Sequence, residues 1–131
     1  MKKLLFALML SIACFSVKAQ NFNNNTSCAV KITPVCYDVN ACTYTSCGTP
    51  TNVPGNSSVT LASLPTCSCK SNEKRGYVVC CTSTPTVCAY IGSPAGPYPC
   101  ALFPGATTFP ACGTCSAVNL AWGAGPNLNL N

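Results

Sequence analysis

Few residues in this chain are candidates for catalysis or metal binding. The strongest candidate is the cysteine pair in Cys112-Gly113-Thr114-Cys115. Two cysteines at this spacing can form a redox couple or half of a zinc site. The redox form normally starts a helix after a strand, whereas Pro110 precedes this pair and a β-prone tail follows it. The zinc form needs a second ligand pair, and Cys67-Ser68-Cys69 has the wrong spacing. We therefore predict structural disulfides at Cys112 and Cys115, with no metal ion and no cofactor.

The sequence contains few of the side chains that acid–base and nucleophilic catalysis require. The chain contains no histidine, which excludes Ser-His-Asp and Cys-His arrangements. Asp38 and Glu73 are the only side-chain carboxylates, and a glycosidase would need both in one cleft. Glu73 stands beside Lys74 and Arg75, where exposure to solvent is the simpler interpretation. No glycine-rich phosphate loop is present either, so the sequence predicts a protein that is not an enzyme.

The first nineteen residues have the layout of an export signal. Met1-Lys2-Lys3 is a basic start, Leu4 to Phe15 is apolar, and Val17-Lys18-Ala19 places small residues before Gln20. This layout predicts a signal peptide at 1–19, of a kind that resembles bacterial signals, cleaved to leave a secreted or cell-surface protein. No transmembrane segment is expected after cleavage, because the apolar stretch is too short to span a bilayer permanently.

Within the signal, Ser11-Ile12-Ala13-Cys14 offers an alternative interpretation. It is a loose version of a bacterial lipobox, in which Cys14 would become a lipid-anchored N-terminus. With either outcome, residues 20–131 are expected to form a single domain. Three of the seven Lys and Arg residues lie in the signal, so the mature chain keeps four against two acidic residues, a net charge of +2. No basic patch remains that could bind nucleic acid.

Cysteine is the most unusual component of the mature chain. Thirteen cysteines less Cys14 leave twelve in 112 residues, a density typical of a disulfide scaffold in an oxidising compartment. The spacing leaves on the order of ten thousand pairings open. Neighbours in a strand point to opposite faces, so one of Cys80 and Cys81 can bridge into the core while the other secures a surface loop. The predicted disulfide residues are Cys28, Cys36, Cys42, Cys47, Cys67, Cys69, Cys80, Cys81, Cys88, Cys100, Cys112 and Cys115.

The elements that must position these cysteines are short strands. Residues 28–33 alternate apolar and polar side chains, which predicts a half-buried strand that stops at Pro34. Residues 67–81 predict a hairpin, in which Cys67 and Cys69 share a strand face, 71–76 form a turn and 77–81 return. From Cys88 to Cys115 frequent Pro and Gly exclude a long regular element.

No stretch after the signal has helical periodicity, so the sequence predicts a mainly β, small, disulfide-stapled β-sandwich with a long Pro/Gly-rich loop region. The turn Val53-Pro54-Gly55-Asn56-Ser57-Ser58, followed by Val59-Thr60-Leu61 and then Tyr77-Val78-Val79, resembles secreted bacterial immunoglobulin-like sandwich domains. The resemblance covers residues 26–82, and it implies an Ig-like sandwich.

The six charged side chains of the mature domain leave a surface of Thr, Ser, Asn, Pro, Gly and apolar residues. Low net charge reduces mutual repulsion and favours association. Four rings in the Pro-rich segment are candidates for an exposed contact site, and the alternative is that they fill the core beneath the loop. These rings belong to Tyr90, Tyr98, Phe103 and Phe109.

The chain ends on a two-residue alternation, Asn127-Leu128-Asn129-Leu130-Asn131. The pattern predicts a short strand at the edge of its own sheet. The alternative is that it pairs with the exposed edge of a neighbouring molecule, with Leu128 and Leu130 as contact residues.

Three functional hypotheses follow from these features. The first is a non-enzymatic extracellular structural protein that self-associates, as the subunit of a matrix, surface layer or filament. The second is a monomeric binding module, adhesin-like or inhibitory, that presents the loop 88–115. The third is a small accessory subunit or lipoprotein of a cell-surface complex. All three require a protein partner or a second copy, and none requires nucleic acid.

Overall fold

The computed structural model describes residues 20–96, 99–123 and 125–131. The predicted signal peptide, Cys14 and Tyr98 lie outside the described residues. The described residues form ten strands and a single 3₁₀ turn at Leu61–Ser63. The strands are β1 (Asn21–Asn24), β2 (Val30–Asp38), β3 (Tyr44–Ser46), β4 (Thr51–Val53), β5 (Ser57–Thr60), β6 (Glu73–Cys81), β7 (Cys88–Ile91), β8 (Ala106–Phe109), β9 (Val118–Trp122) and β10 (Leu128–Leu130).

The strands form two five-stranded sheets, as the mainly β composition predicts. Sheet A has the order β5-β1-β10-β9-β8, and sheet B has the order β3-β2-β6-β7, with β4 also paired to β2. The prediction of a small, disulfide-stapled β-sandwich is therefore confirmed. Among the described residues, no helix is long and apolar enough to cross a membrane.

The main core lies between the two sheets, where alternate side chains of each strand point inward. Sheet A contributes Phe22, Leu120 and Leu128, and sheet B contributes Ile32 and Val79. All five are completely buried. The alternation seen in the sequence at residues 28–33 therefore selects the correct inward face for β2.

Sheet B is also covered on its outer face, which the alternation does not reveal. The loop between β7 and β8 lies over that face and places Cys100 and Phe103 against Val35, Tyr37 and Val78. As a result, six consecutive residues of β2 are buried instead of every second one. The domain has a second, smaller core between sheet B and the loop.

Strand β2 continues through Pro34, so the prediction that Pro34 ends the strand is wrong. The carbonyl of Pro34 accepts a hydrogen bond from the Cys47 backbone N–H (2.9 Å) on the side of β2 that faces β3 and β4. The N–H that proline lacks would point the same way, because both groups of a strand residue face one side. Along β2, the pairing with β4 ends at Ile32 and the pairing with β3 begins at Val35, so Pro34 lies between the two. No partner there requires the missing donor.

The predicted hairpin over residues 67–81 is also wrong. Strand β6 begins at Glu73 and pairs with β2 at nine successive positions, so most of the predicted turn is strand. The long-range ladder with β2 overrides the local turn preference of these polar residues. The hairpin in this region is β6–β7, in which Cys80 and Cys88 face each other and form a disulfide.

The terminal strand β10 is not an edge strand. It lies between β1, to which it is parallel, and β9, to which it is antiparallel. Both of its edges are paired, and Leu128 and Leu130 are completely buried. The prediction of an edge strand at the end of the chain is therefore wrong, because the first and last strands of the domain pair with each other. The alternative, in which Leu128 and Leu130 contact a neighbouring molecule, gains no support, because both side chains are buried within the sandwich.

Candidate interaction surfaces

Six disulfides join the cysteines of the described residues. The pairs are Cys28–Cys115, Cys36–Cys69, Cys42–Cys100, Cys47–Cys67, Cys80–Cys88 and Cys81–Cys112. Cys112 and Cys115 thus bridge to two different strands of sheet B or their flanks, and not to each other. Cys81 is buried and links β6 across the sandwich, whereas its neighbour Cys80 is half-buried on the outer face. This disulfide density fits an extracellular, oxidising environment.

Three cysteine sulfurs lie close enough together to resemble a metal site. The Sγ atoms of Cys36, Cys47 and Cys67 are all within 4.8 Å of one another. Each is consumed in a disulfide, with Cys69 completing the set. Coordination of a metal by cysteine requires a free thiolate. The cluster therefore consists of two neighbouring disulfides that crosslink the chain.

The two carboxylates lie opposite each other, since Asp38 and Glu73 form the last register pair of β2 and β6. Asp38 Oδ1 accepts hydrogen bonds from the backbone N–H groups of Asn40 and Ala41, both at 2.8 Å. Glu73 Oε2 accepts one from the Lys70 backbone N–H at 2.9 Å. Each carboxylate therefore organises the turn next to it.

The backbone hydrogen bonds from Ala41 and then Asn40 hold the pKa of Asp38 below its usual value of 3.8. A depressed pKa in the folded state stabilises the fold above the unfolded value, and this contribution is lost as pH falls through the folded pKa. Asp38→Asn keeps an acceptor oxygen but cannot titrate. We therefore expect the melting temperature of this variant to fall less than that of the wild type as the pH is lowered. Thermal unfolding of both proteins from neutral pH to well below 3.8 tests this. An equal fall in melting temperature for both proteins would contradict a stabilising role of ionised Asp38.

Four aromatic rings form a cluster on the outer face of sheet B, here called the aromatic cluster: Tyr37, Tyr44, Tyr90 and Phe103. Phe103 stacks on Tyr37 with ring centroids 4.3 Å apart and planes 6° apart. It meets Tyr44 and Tyr90 edge-on at 5.6 and 5.7 Å. Gly76 lies beneath, where an added Cβ would stand 3.0 Å from Phe103 and Tyr37. The absence of a side chain at this position lets the rings lie flat on the sheet.

Burial supports the core interpretation for two of the four rings in the Pro-rich segment. Phe103 and Phe109 are 0% and 2% exposed and belong to the two cores, so they are not an open contact surface. Tyr90 is half-buried, and Tyr98 lies outside the described residues. Because Phe103 is buried against sheet B, this ring holds the loop between β7 and β8 on the sheet together with the Cys42–Cys100 disulfide.

In the part of the chain that the structure describes, the large exposed hydrophobic residues are Tyr44 and Leu102, each 41% exposed. Tyr44 lies on β3, which pairs with β2 on one side and has no partner strand on the other. Leu102 directly precedes Phe103, whose ring contacts Tyr44. The phenol of Tyr44 hydrogen-bonds that of Tyr90 and, as the main cause, raises the pKa of Tyr90. We call Tyr44, Leu102 and the free edge of β3 the β3 corner.

Sequence reasoning did not single out the β3 corner. Tyr44 stands between Cys42 and Cys47, and both cysteines anchor the segment to other parts of the molecule. A tyrosine between two anchored cysteines is the one signal that could have suggested a side chain held in a fixed position. Its exposure depends on which strand forms the edge of sheet B, and that depends on long-range pairing.

The outer face of sheet A is a second surface of unusual composition. Its residues are small or medium-sized, polar and uncharged, and we call this surface the asparagine face. It consists of Asn21, Asn23, Asn25, Ser58, Thr60, Thr108, Asn119, Asn127, Asn129 and Asn131, together with Ala106 and Ala121. None of the five strands of sheet A contains Lys, Arg, Asp or Glu. The charged residues of the domain lie instead in β2, in β6 and at Lys70.

Comparison of the chain with known protein families, with curated proteins and with solved structures finds no match. The likeness to immunoglobulin-like sandwiches therefore stays a prediction, and the function has to be inferred from the surfaces of the domain itself.

Proposed function

We propose that this protein is a non-enzymatic extracellular structural protein that associates with copies of itself through the β3 corner. The observation that carries the proposal is the combination of a free strand edge with two exposed apolar side chains, Tyr44 and Leu102. An unpaired edge offers a row of backbone donors and acceptors to another chain. Exposed apolar area beside it supplies the hydrophobic part of an interface.

The charge distribution supports self-association. The mature domain has a net charge of +2 on its side chains, so two copies repel each other only weakly. The edges of sheet A and the remaining edge of sheet B are less open than β3. The backbone N–H of Gly92 donates to the Pro104 carbonyl (2.8 Å), which ties the end of β7 to the start of β8. β4 and β5 are connected by a short turn that brings them side by side.

The alternative of a binding module that presents the loop 88–115 loses its main support, because that module needs exposed rings. Phe103 and Phe109 are buried, and Phe103 packs against sheet B. The accessory-subunit alternative is compatible with the same β3 corner, with a different protein in place of the second copy. The experiment below separates these two outcomes.

The experiment is analytical ultracentrifugation of the oxidised mature protein over a wide concentration range, without reductant. We expect reversible association that weakens at least about tenfold in Leu102→Lys and in the double variant Tyr44→Ser, Leu102→Ser. Leu102→Lys places a charge at the centre of the contact without touching the aromatic cluster. The matched control is Ala62→Ser with Ala117→Ser, which alters two exposed apolar positions elsewhere.

A strictly monomeric wild-type protein at the highest concentration would contradict the proposal. Association that is unchanged in Leu102→Lys would place the contact on another surface. Thermal unfolding of each variant shows whether Tyr44→Ser loosens the aromatic cluster, and Leu102→Lys keeps the test valid if it does.

A further inference from the structure

The asparagine face is an ordered array of amides and not a random polar surface. Parallel pairing of β1 and β10 places Asn23 beside Asn129, and the Asn23 side-chain N–H donates to Asn129 Oδ1 at 2.8 Å. One step along the strands, the Asn25 side chain donates to the Asn131 side chain in the same way. In the other direction, the Asn21 backbone N–H donates to Asn127 Oδ1 at 3.0 Å. These lateral bonds fix the side-chain rotamers before any ligand arrives.

The rows extend across the sheet. The row through Asn129 continues to Ala121 on β9 and Ala106 on β8, and in the other direction to Ser58 on β5. The row through Asn131 continues to Asn119, with which it exchanges two backbone hydrogen bonds (2.8 and 2.9 Å), and then to Thr108. With strands about 4.8 Å apart, five strands span about 19 Å. This is enough width for several units of an extended polymer.

Each amide of the array still has groups to offer. A carboxamide has two N–H donors and an oxygen with two acceptor sites, and a lateral bond uses only one donor or one acceptor. Asn129 also donates to the Asn127 carbonyl at 3.4 Å, which leaves it one donor and one acceptor site. The face therefore carries both unused donors and unused acceptors. Hydroxyl groups, which both donate and accept, are the natural complement of such a mixed array.

The charge pattern narrows the class of ligand. Because the strands of sheet A carry no charged side chain, the face has no attraction for phosphates, sulfates or carboxylates. An acidic polymer would be drawn instead to Lys70, Lys74 and Arg75, which lie on or next to β6 in the other sheet. An uncharged face of this kind is therefore suited to an uncharged ligand.

The composition also disfavours a second copy of the protein as the ligand. The cores of protein–protein interfaces are apolar and rich in aromatic residues and Met. The asparagine face carries no side chain larger than Asn, and burying its amides against another protein would desolvate them for little apolar gain. Among the described residues, the large hydrophobic side chains that are exposed are Tyr44, on sheet B, and Leu102, in the loop that packs on sheet B.

From these observations we propose that the asparagine face binds a neutral, hydroxyl-rich polysaccharide. Single hydrogen bonds contribute only about 0.5–1.5 kcal/mol each, so binding relies on many of them along an extended chain. Rotamers that are already fixed keep the entropic cost of each contact small. The site differs from the β3 corner, and it would join a self-associating protein to a carbohydrate matrix.

The test is retention of the oxidised mature protein on insoluble neutral polysaccharides, namely cellulose, chitin and mannan, with soluble alginate and heparin as acidic comparisons. We expect the wild-type protein to bind at least one neutral polysaccharide with little dependence on salt. Asn129→Asp and Asn119→Asp should each weaken retention at least about tenfold, because a carboxylate replaces two donors by charge. The matched control is Asn52→Asp, at an exposed position of β4 in sheet B, which should bind as the wild type does.

Asn129→Asp keeps the oxygen that accepts from Asn23, and Asn119→Asp lies on another strand, so at least one variant is expected to fold normally. Absence of wild-type binding to every neutral polysaccharide would overturn the proposal, as would equal retention of all variants. Binding to alginate or heparin that salt abolishes would assign the ligand to the basic residues of sheet B. If Asn129→Asp lowers self-association and leaves retention unchanged, the face is a protein interface. Loss of self-association in Leu102→Lys with intact retention would leave this inference standing, which keeps the two proposals separable.

Discussion

Replacing Phe103 by alanine is expected to lower the free energy of unfolding by about 3–5 kcal/mol, the range for a buried Phe. Phe103 is completely buried and supplies the ring that all other members of the aromatic cluster contact. Its loss leaves a cavity over Gly76 and removes the apolar anchor of the loop between β7 and β8. Denaturant unfolding with disulfides intact gives the energy, and hydrogen exchange shows whether the Gly92 amide, which bonds Pro104, becomes labile.

The matched control for this prediction is the neighbouring residue. Leu102→Ala removes an apolar side chain that is 41% exposed, and we expect a change within about 0.5 kcal/mol in the monomeric protein. A Phe103→Ala variant as stable as Leu102→Ala would mean that the Cys42–Cys100 disulfide alone holds the loop on the sheet.

Removing the Cys28–Cys115 disulfide by a double substitution to alanine is expected to cost about 3–5 kcal/mol. The bridge spans a sequence separation of 87, against 8 for Cys80–Cys88. The chain-entropy treatment gives about 4.6 and about 2.5 kcal/mol for loops of these lengths taken alone. The other bridges, Cys36–Cys69 and Cys81–Cys112, shorten the path between Cys28 and Cys115 to about two dozen residues, which lowers the first figure to about 3.5 kcal/mol.

The comparison of the two double variants is the decisive measurement. We expect the Cys28→Ala, Cys115→Ala protein to be less stable than Cys80→Ala, Cys88→Ala by about 1 kcal/mol or more. Cys28 also packs on the main core and its sulfur lies 3.3 Å from the Cys112 carbonyl, so local contacts add to the entropic cost. The reverse order in denaturant unfolding would show that strand pairing at β6–β7 depends on its cross-strand bridge more than the sandwich depends on its longest one.

Much of the fold class is readable from local pattern. The alternation of apolar and polar side chains around Val30 and Ile32 predicts the inward face of β2 correctly. The density of cysteines predicts a disulfide scaffold. The opposite directions of Cys80 and Cys81 follow from the two-residue period of a strand, and the structure buries one and leaves the other half-buried. These features depend only on neighbours along the chain.

The candidate surfaces were much less predictable. The exposure of Tyr44 and the burial of Phe103 depend on where a loop folds back and on which strand ends a sheet. The asparagine face requires β1 to lie parallel to β10, although Asn23 and Asn129 are 106 residues apart in sequence. No local signal sets such a register, because a strand's side-chain period is the same for every partner it could take.

By itself the sequence determined the kind of molecule: short strands, twelve cysteines among residues 20–131 and few charges, hence a disulfide-stapled β domain. Only the tertiary structure decided which cysteines pair, that Pro34 lies within a strand and that Leu128 and Leu130 lie inside the sandwich. The physical reason is the range of the interactions. Alternation, turn preference and composition act between near neighbours, whereas strand order and the covering of a sheet are settled by contacts between distant segments.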